Sequence, residues 1–196
     1  MKKSTILFFI GLLLITVTAA NAQEFKKFRV GVGAGYAIPG GNGAKGGVLF
    51  TIEPAYRISD QILLGLRWES AALIRGYSES VPDGIDLNIA AIGSFAASGQ
   101  YYFSNEGFRP FVGAGLGLFT LAAIKYDDGS GSGTTTIGTS ESKFGFFPRV
   151  GFDAGHFTLA IDYNIIPATK IDGDDGSFKN SYIGIRVGGF FGGGKK

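Results

Sequence analysis

Val48-Leu49-Phe50-Thr51-Ile52-Glu53-Pro54-Ala55-Tyr56-Arg57-Ile58-Ser59 changes character at every second residue. Val48, Phe50, Ile52, Pro54, Tyr56 and Ile58 are apolar, while Thr51, Glu53, Ala55, Arg57 and Ser59 between them are polar or small. Successive side chains of an extended strand point to opposite faces, so the segment has one greasy face and one wet face. A soluble sheet would close its greasy face on a core. Here the wet face carries glycines and paired charges, the inversion expected of a barrel wall that turns its apolar side to lipid.

The same alternation recurs in eight segments, 28–38, 48–58, 62–71, 87–103, 108–121, 144–154, 157–165 and 182–191. Most approach or exceed the roughly 9–11 residues that a tilted strand needs to cross a bilayer. The connections alternate in length. Ser59-Asp60-Gln61, Ser104-Asn105-Glu106-Gly107 and Gly155-His156 are tight turns, whereas 39–47, 75–86, 122–142 and 167–177 are longer and polar. Short turns at one rim and long loops at the other are the pattern of outer-membrane barrels, with the short turns periplasmic. Three turns and four loops join eight strands and leave both chain ends on the periplasmic side. Glycine-rich runs such as Gly113-Ala114-Gly115-Leu116-Gly117 cannot sustain a helix, and none longer than a turn is expected beyond the leader.

The leader is residues 1–22. Lys2 and Lys3 precede an apolar run over 6–17, and Ala20-Asn21-Ala22 offers a small-residue cleavage site. This predicts a secretory signal peptide and Sec-dependent export, with a mature chain starting at Gln23. The run is too short for a membrane-spanning helix. The chain divides accordingly into a leader (1–22), a barrel (23–191) and a short Gly/Lys tail (192–196). Removing Lys2 and Lys3 leaves sixteen basic against sixteen acidic residues, so nothing in the charge points to nucleic acid. Cysteine is absent, which excludes a disulfide framework, thiol chemistry and a lipidated amino terminus.

The outward parity of the eight segments holds no Lys, Arg, Asp, Glu or His. The opposite parity carries Arg29, Glu53, Arg57, Arg67, Glu69, Arg149, Asp153, Asp162 and Arg186, close to charge balance. A charge on the lipid face costs about 2–4 kcal/mol near the midplane, which accounts for the split. Five of the seven arginines are among these nine, while the lysines occupy leader, loops, strand ends or tail. Arginine keeps its charge and grips carboxylates with two parallel hydrogen bonds, so it suits an enclosed network. The interior of an eight-stranded barrel is only wide enough to be filled by side chains. These nine residues are expected to fill the lumen as Arg–carboxylate pairs, with Arg67 pairing Glu53 or Glu69. The inward glycines 31, 33, 35, 113, 115 and 117 are expected to leave room for them. Pro54 and Pro148 lie well inside strands that have no free edge, and bulges are the expected remedy.

Arg109-Pro110-Phe111-Val112-Gly113-Ala114-Gly115-Leu116-Gly117, Phe147-Pro148-Arg149-Val150-Gly151-Phe152 and the closing Ile183-Gly184-Ile185-Arg186-Val187-Gly188-Gly189-Phe190-Phe191 resemble the small outer-membrane β-barrel family. That family includes OmpA-type and OmpX-type domains in the style found in Bacteroidetes. The resemblance implies an all-β, eight-stranded antiparallel up-and-down barrel in the outer membrane of a Gram-negative cell. It also implies a structural or surface-interaction role in envelope integrity or adhesion, with outer-membrane lipid, lipopolysaccharide and the barrel-assembly machinery as partners. One departure is the extension of the chain beyond Phe191, where such barrels usually end on an aromatic residue.

Other chemistries find little material. A small-solute channel would use the charged parity as its lining, but open porins need about 16 strands. A lipid-modifying barrel enzyme needs a nucleophile and a base at the outer rim. The single histidine, His156, belongs to a short turn at the opposite rim. Asp172-Gly173-Asp174-Asp175-Gly176 lacks the further oxygen ligand and glutamate of a calcium loop. Gly31-Val32-Gly33-Ala34-Gly35 has no helix to follow it and is no nucleotide loop. No catalytic residue, metal or cofactor is therefore expected. Trp68, Tyr36, Tyr101, Tyr102, Phe103, Phe108, Phe144 and Phe157 are expected to form interfacial girdles. Loop 122–142, rich in Gly, Ser and Thr, is the candidate surface for an extracellular partner.

Overall fold

The computed structural model describes residues 24–40, 44–78, 86–127, 134–137, 141–170 and 177–196. Eight strands make the wall: β1 (Phe28–Pro39), β2 (Gly47–Arg57), β3 (Ile62–Ser78), β4 (Asp86–Tyr102), β5 (Phe108–Asp127), β6 (Glu141–Ala154), β7 (Phe157–Asn164) and β8 (Tyr182–Gly192). Each pairs antiparallel with its sequence neighbours, and β8 returns to β1, so the sheet is closed. Among the described residues there is no helix. The partners Gly151, Ala160, Arg186, Gly35, Leu49, Ala71, Ile92, Leu121 and Glu141 lead once round the wall. The circuit returns to β6 ten residues from its start. Such a stagger requires strands tilted by roughly 35–45° from the barrel axis.

Side chains obey the alternation. On the outside Val48, Phe50, Tyr56, Leu64, Leu66, Trp68 and Phe95 stand exposed, while Leu49, Thr51, Arg57, Leu63, Arg67 and Glu69 on the alternate positions are buried. Tyr101 and Phe103 (centroids 5.4 Å apart) and Phe108, Phe152 and Phe157 form a belt of rings at the short-turn rim. Tyr102 is not part of that belt. It falls on the inward parity of β4 and is wholly buried in the lumen.

The wall reaches farther toward the long loops than the alternation alone predicts. β3 continues to Ser78 and β5 to Asp127, and Thr134–Ile137 folds back to pair with 124–127. The prolines are accommodated without bulges. Pro54 interrupts the β2–β3 ladder between Ile52↔Trp68 and Ala55↔Gly65, yet the register is the same on both sides. Pro148 falls between Arg149↔Asp162 and the isolated bridge Phe146↔Ile165, again with register kept. Each proline leaves out its ladder bond and nothing more. The register shift lies elsewhere, between Ile74 and Tyr77 on the β3–β4 ladder.

The lumen is layered. Toward the long loops, Leu49, Leu73, Ile92, Phe119, Phe147 and Ile166 form an apolar cluster. Toward the short turns, Ala55, Leu63, Tyr102, Phe111 and Ala160 form a smaller one. Charged side chains fill the space between and around them. Beneath the short-turn mouth, residues 24–27 run as a strap against the carboxyl-terminal tail. Lys26 N–H donates to the Gly194 carbonyl and Lys196 N–H to the Glu24 carbonyl, both at 2.9 Å or less. Gly192 and Gly193 adopt φ of 72° and 65°, a conformation that favours glycine and that turns the tail across the mouth.

Candidate functional site

Asp162 of β7 is the hub of the lumen. It is fully buried and accepts from Arg149 Nε at 2.7 Å, Arg186 Nη2 at 2.8 Å and Arg67 Nη1 at 3.2 Å. Arg149 also reaches across to Glu53 of β2, with Nη1 2.8 and 2.9 Å from the two carboxylate oxygens. Ser98 Oγ donates to Glu53 Oε1 at 2.7 Å, and Arg186 Nη1 lies 3.8 Å from the other oxygen. Arg67 is completed by the side-chain oxygen Oδ1 of Asn164 at 2.8 Å and by Glu69 at 3.6 Å. Glu69 in turn accepts a short hydrogen bond from the Tyr182 hydroxyl. Glu53 is thus paired by Arg149 and Arg186, while Arg67 pairs with Asp162 and Glu69.

A second group lies nearer the short turns. Asp153 accepts from Arg29 Nη1 at 2.6 Å, from the Tyr102 hydroxyl at 2.8 Å and from Thr158 Oγ1 at 2.7 Å. Arg57 Nη1 donates to the Asp60 carbonyl at 3.0 Å, and Arg109 Nη2 makes a short bond to the same oxygen. The Asp60 carboxylate accepts the backbone N–H of Glu24 (3.0 Å) and of Phe25 (3.2 Å). This sets the Phe25 ring beneath Arg109 at 3.9 Å and Arg57 at 5.1 Å. Phe25 is only 5% exposed and covers the mouth from below.

All nine inward charges thus lie on the lumen side, where eight strands at close quarters bring eight of them into ion pairs. Arg57 stands at the mouth with Arg109. Arg109 was not among the nine, although it holds the first inward position of β5, directly after Phe108. The neutral partners Tyr102, Asn164, Tyr182 and Ser98 escape a reading that tracks charges alone. They too sit on inward positions. Burying a charge is tolerated only when it is paired and hydrogen-bonded, and these groups complete the coordination that the carboxylates alone do not.

Glycine makes the room. A Cβ on Gly65 would stand 3.0 Å from both Glu53 Oε1 and Ser98 Oγ, and one on Gly151 would stand 2.7 Å from the tip of the Phe111 ring. His156 lies in the β6–β7 turn with its ring 5.2 Å from that of Phe190, and its carbonyl accepts the Phe190 N–H. Among the described residues no group of acidic or histidine side chains is arranged to hold a metal ion. The acidic loop Asp172-Gly173-Asp174-Asp175-Gly176 lies outside the described residues, as do the leader and the centre of loop 122–142.

Solved structures share this architecture. Neisserial surface protein A is 21% identical, with 83% of this chain and 94% of that one covered at a TM-score of 0.50. Ail, the attachment invasion locus protein of Yersinia pestis, is 16% identical over 86% of this chain and 99% of its own, at 0.44. The amino-terminal β-barrel domain of Pseudomonas aeruginosa OprF is 16% identical over 85% and 99%, at 0.43. A comparison with curated proteins finds no match. Residues 7–191 match the family described as outer membrane protein beta-barrel domain. With nearly its whole length covered and its strands closed into the corresponding barrel, the chain belongs to the outer-membrane protein β-barrel domain family.

Proposed function

We propose that this outer-membrane barrel serves the envelope as a structural and surface-interaction protein whose lumen is sealed by charged pairs, and that it performs no catalysis. The observation that carries this reading is the ion-pair network crossing the lumen. Glu53 of β2 is tied through Arg149 of β6 to Asp162 of β7, and from there to Arg67 of β3 and Arg186 of β8. An apolar cluster lies on one side of it and the Phe25 strap on the other. The cavity left beside the network measures about 40 Å³, too little for a solute pathway.

In this reading the chain is exported by the Sec route with cleavage after Ala22 and is inserted by the barrel-assembly machinery. It meets outer-membrane lipid and lipopolysaccharide along its wall. Any extracellular partner is met through loop 122–142. The test is single-channel conductance of the refolded protein in a planar bilayer. A silent barrel that retains heat-dependent gel mobility is expected. Steady, reproducible openings would overturn the sealed lumen and make Arg29, Arg149 and Arg186 the lining of a small-solute channel.

A further inference from the structure

Among the described residues the buried charges do not balance. Below the outer rim, six arginines face the lumen (Arg29, Arg57, Arg67, Arg109, Arg149 and Arg186) against the carboxylates Glu53, Glu69, Asp153 and Asp162. Even with the Asp60 carboxylate at the mouth, which is engaged by two backbone N–H groups, positive charge is in excess. Desolvated charge of one sign is costly in a low-dielectric interior unless a counter-charge shares the space.

The excess sits on Arg57 and Arg109 at the mouth, while Arg29, Arg67, Arg149 and Arg186 are matched by the four carboxylates. Deeper in the lumen it is N–H donors that outnumber acceptors, and they do so beside one cavity. The 40 Å³ cavity is bordered by Arg29, Arg149, Arg186, Thr51 and Thr158, with Glu53 the one acid on it. Arg149 and Arg186 are 2% and 7% exposed, and each keeps one buried N–H, at Nη2 and Nε respectively, with no acceptor among the described residues. Every other arginine N–H around the cavity that binds a carboxylate is turned away toward Glu53, Asp153 or Asp162. The negative charge of Glu53 is itself spent on Arg149, Arg186 and the Ser98 hydroxyl. Thr51 Oγ1 makes only long contacts, 3.4 Å from Arg186 Nη1 and 3.5 Å from the Gly33 carbonyl, so its hydroxyl can turn to another acceptor.

We propose that this cavity is a binding site for a small monatomic anion of the halide class, held by Arg149 Nη2, Arg186 Nε and the Thr51 hydroxyl. Its volume suits a single halide or a few waters. The anion lowers the net charge of the lumen and supplies the acceptor that the two guanidinium N–H groups need. The site does not depend on whether the barrel conducts, so silence in a planar bilayer leaves it intact.

The test has two arms, both on the refolded full barrel. Crystals grown with sodium bromide are expected to show an anomalous peak in the cavity, within hydrogen-bond reach of Arg149 Nη2 and Arg186 Nε. The apparent unfolding temperature is expected to rise with chloride, at constant ionic strength set with gluconate, and to saturate as a binding isotherm does. Arg186→Met abolishes that dependence, and Thr51→Val, which leaves every ion pair in place, weakens it should Arg186→Met fail to fold. Water density without anomalous signal would overturn the site. So would a peak confined to the mouth beside Arg57 and Arg109. A peak with no chloride dependence of unfolding, meaning binding at crystal concentration only, would overturn it as well.

Discussion

The guanidinium carbon of Arg67 lies 3.7 Å from the centroid of the Phe147 ring, and the tip of that ring occupies the space a side chain on Gly115 would need. Three strands therefore share one contact. β5 leaves the room, β6 fills it with an aromatic face, and β3 lays its cation on that face on the way to Asp162. Gly115→Ala is expected to push Phe147 out of place and lower stability by about 1–3 kcal/mol, as overpacking does. Urea unfolding in detergent micelles measures it. Gly107→Ala, at an open turn with nothing within 4 Å, should leave the midpoint unchanged.

Asp162 carries three arginines. Asp162→Asn removes their shared counter-charge while keeping the shape of the side chain, and is expected to cost about 3–5 kcal/mol, the price of an uncompensated buried charge. Lys143→Ala, at a rim pair whose Glu141 is half exposed, should cost under about 1 kcal/mol. Equal unfolding midpoints for the two variants would refute the hub.

Leu66 points outward to lipid from the fifth position of β3. Leu66→Arg is expected to impair insertion by about 2–4 kcal/mol. Gln61→Arg, in the exposed β2–β3 turn, should insert like the parent chain. The fraction folded into vesicles, read from heat-dependent gel mobility, separates them.

The strap is held by backbone bonds to the tail, by the Asp60 carboxylate and by one buried ring. Phe25→Ala removes the ring stacked on Arg109 and Arg57. It is expected to speed trypsin cleavage after Lys26 and Lys27 several-fold in the folded barrel, with the wall left intact by circular dichroism. A cleavage rate equal to that of the parent would show that Phe25 does not hold the strap.

The architecture is legible in the chain because a barrel in lipid imposes one rule on every strand, apolar outward and anything else inward. Residues 48–59 show that rule without help from tertiary context. The rule is weaker near the long loops, where β3 and β5 run on past the last clear alternation to Ser78 and Asp127. Strands of 17 and 20 residues are longer than the roughly 9–11 that cross a bilayer, so lipid selects the side chains of only part of each. The lumen is legible as a set of charges but not as a set of partners. Glu53 is bound by Arg149, ninety-six positions away, because the stagger of the strands decides which inward positions share a level. Tyr102 shows the same limit. An aromatic residue beside Tyr101 suggests a girdle, and only the inward parity of β4 reveals a hydroxyl aimed at Asp153. The prolines mislead in the other direction, since a closed ladder absorbs one missing bond without changing register.

The bridge between Phe25 and Lys195 has a mechanical meaning. A pull on residue 24 or residue 196 away from the mouth meets first a ribbon whose backbone bonds break one at a time, Lys196 to Glu24 and then Lys26 to Gly194. The β1–β8 seam behind it, paired from Arg29 to Pro39, must instead fail by sliding, with many bonds strained together. The ribbon is thus a fuse: it yields at low force, exposes Arg57 and Arg109 at the mouth, and leaves the wall standing.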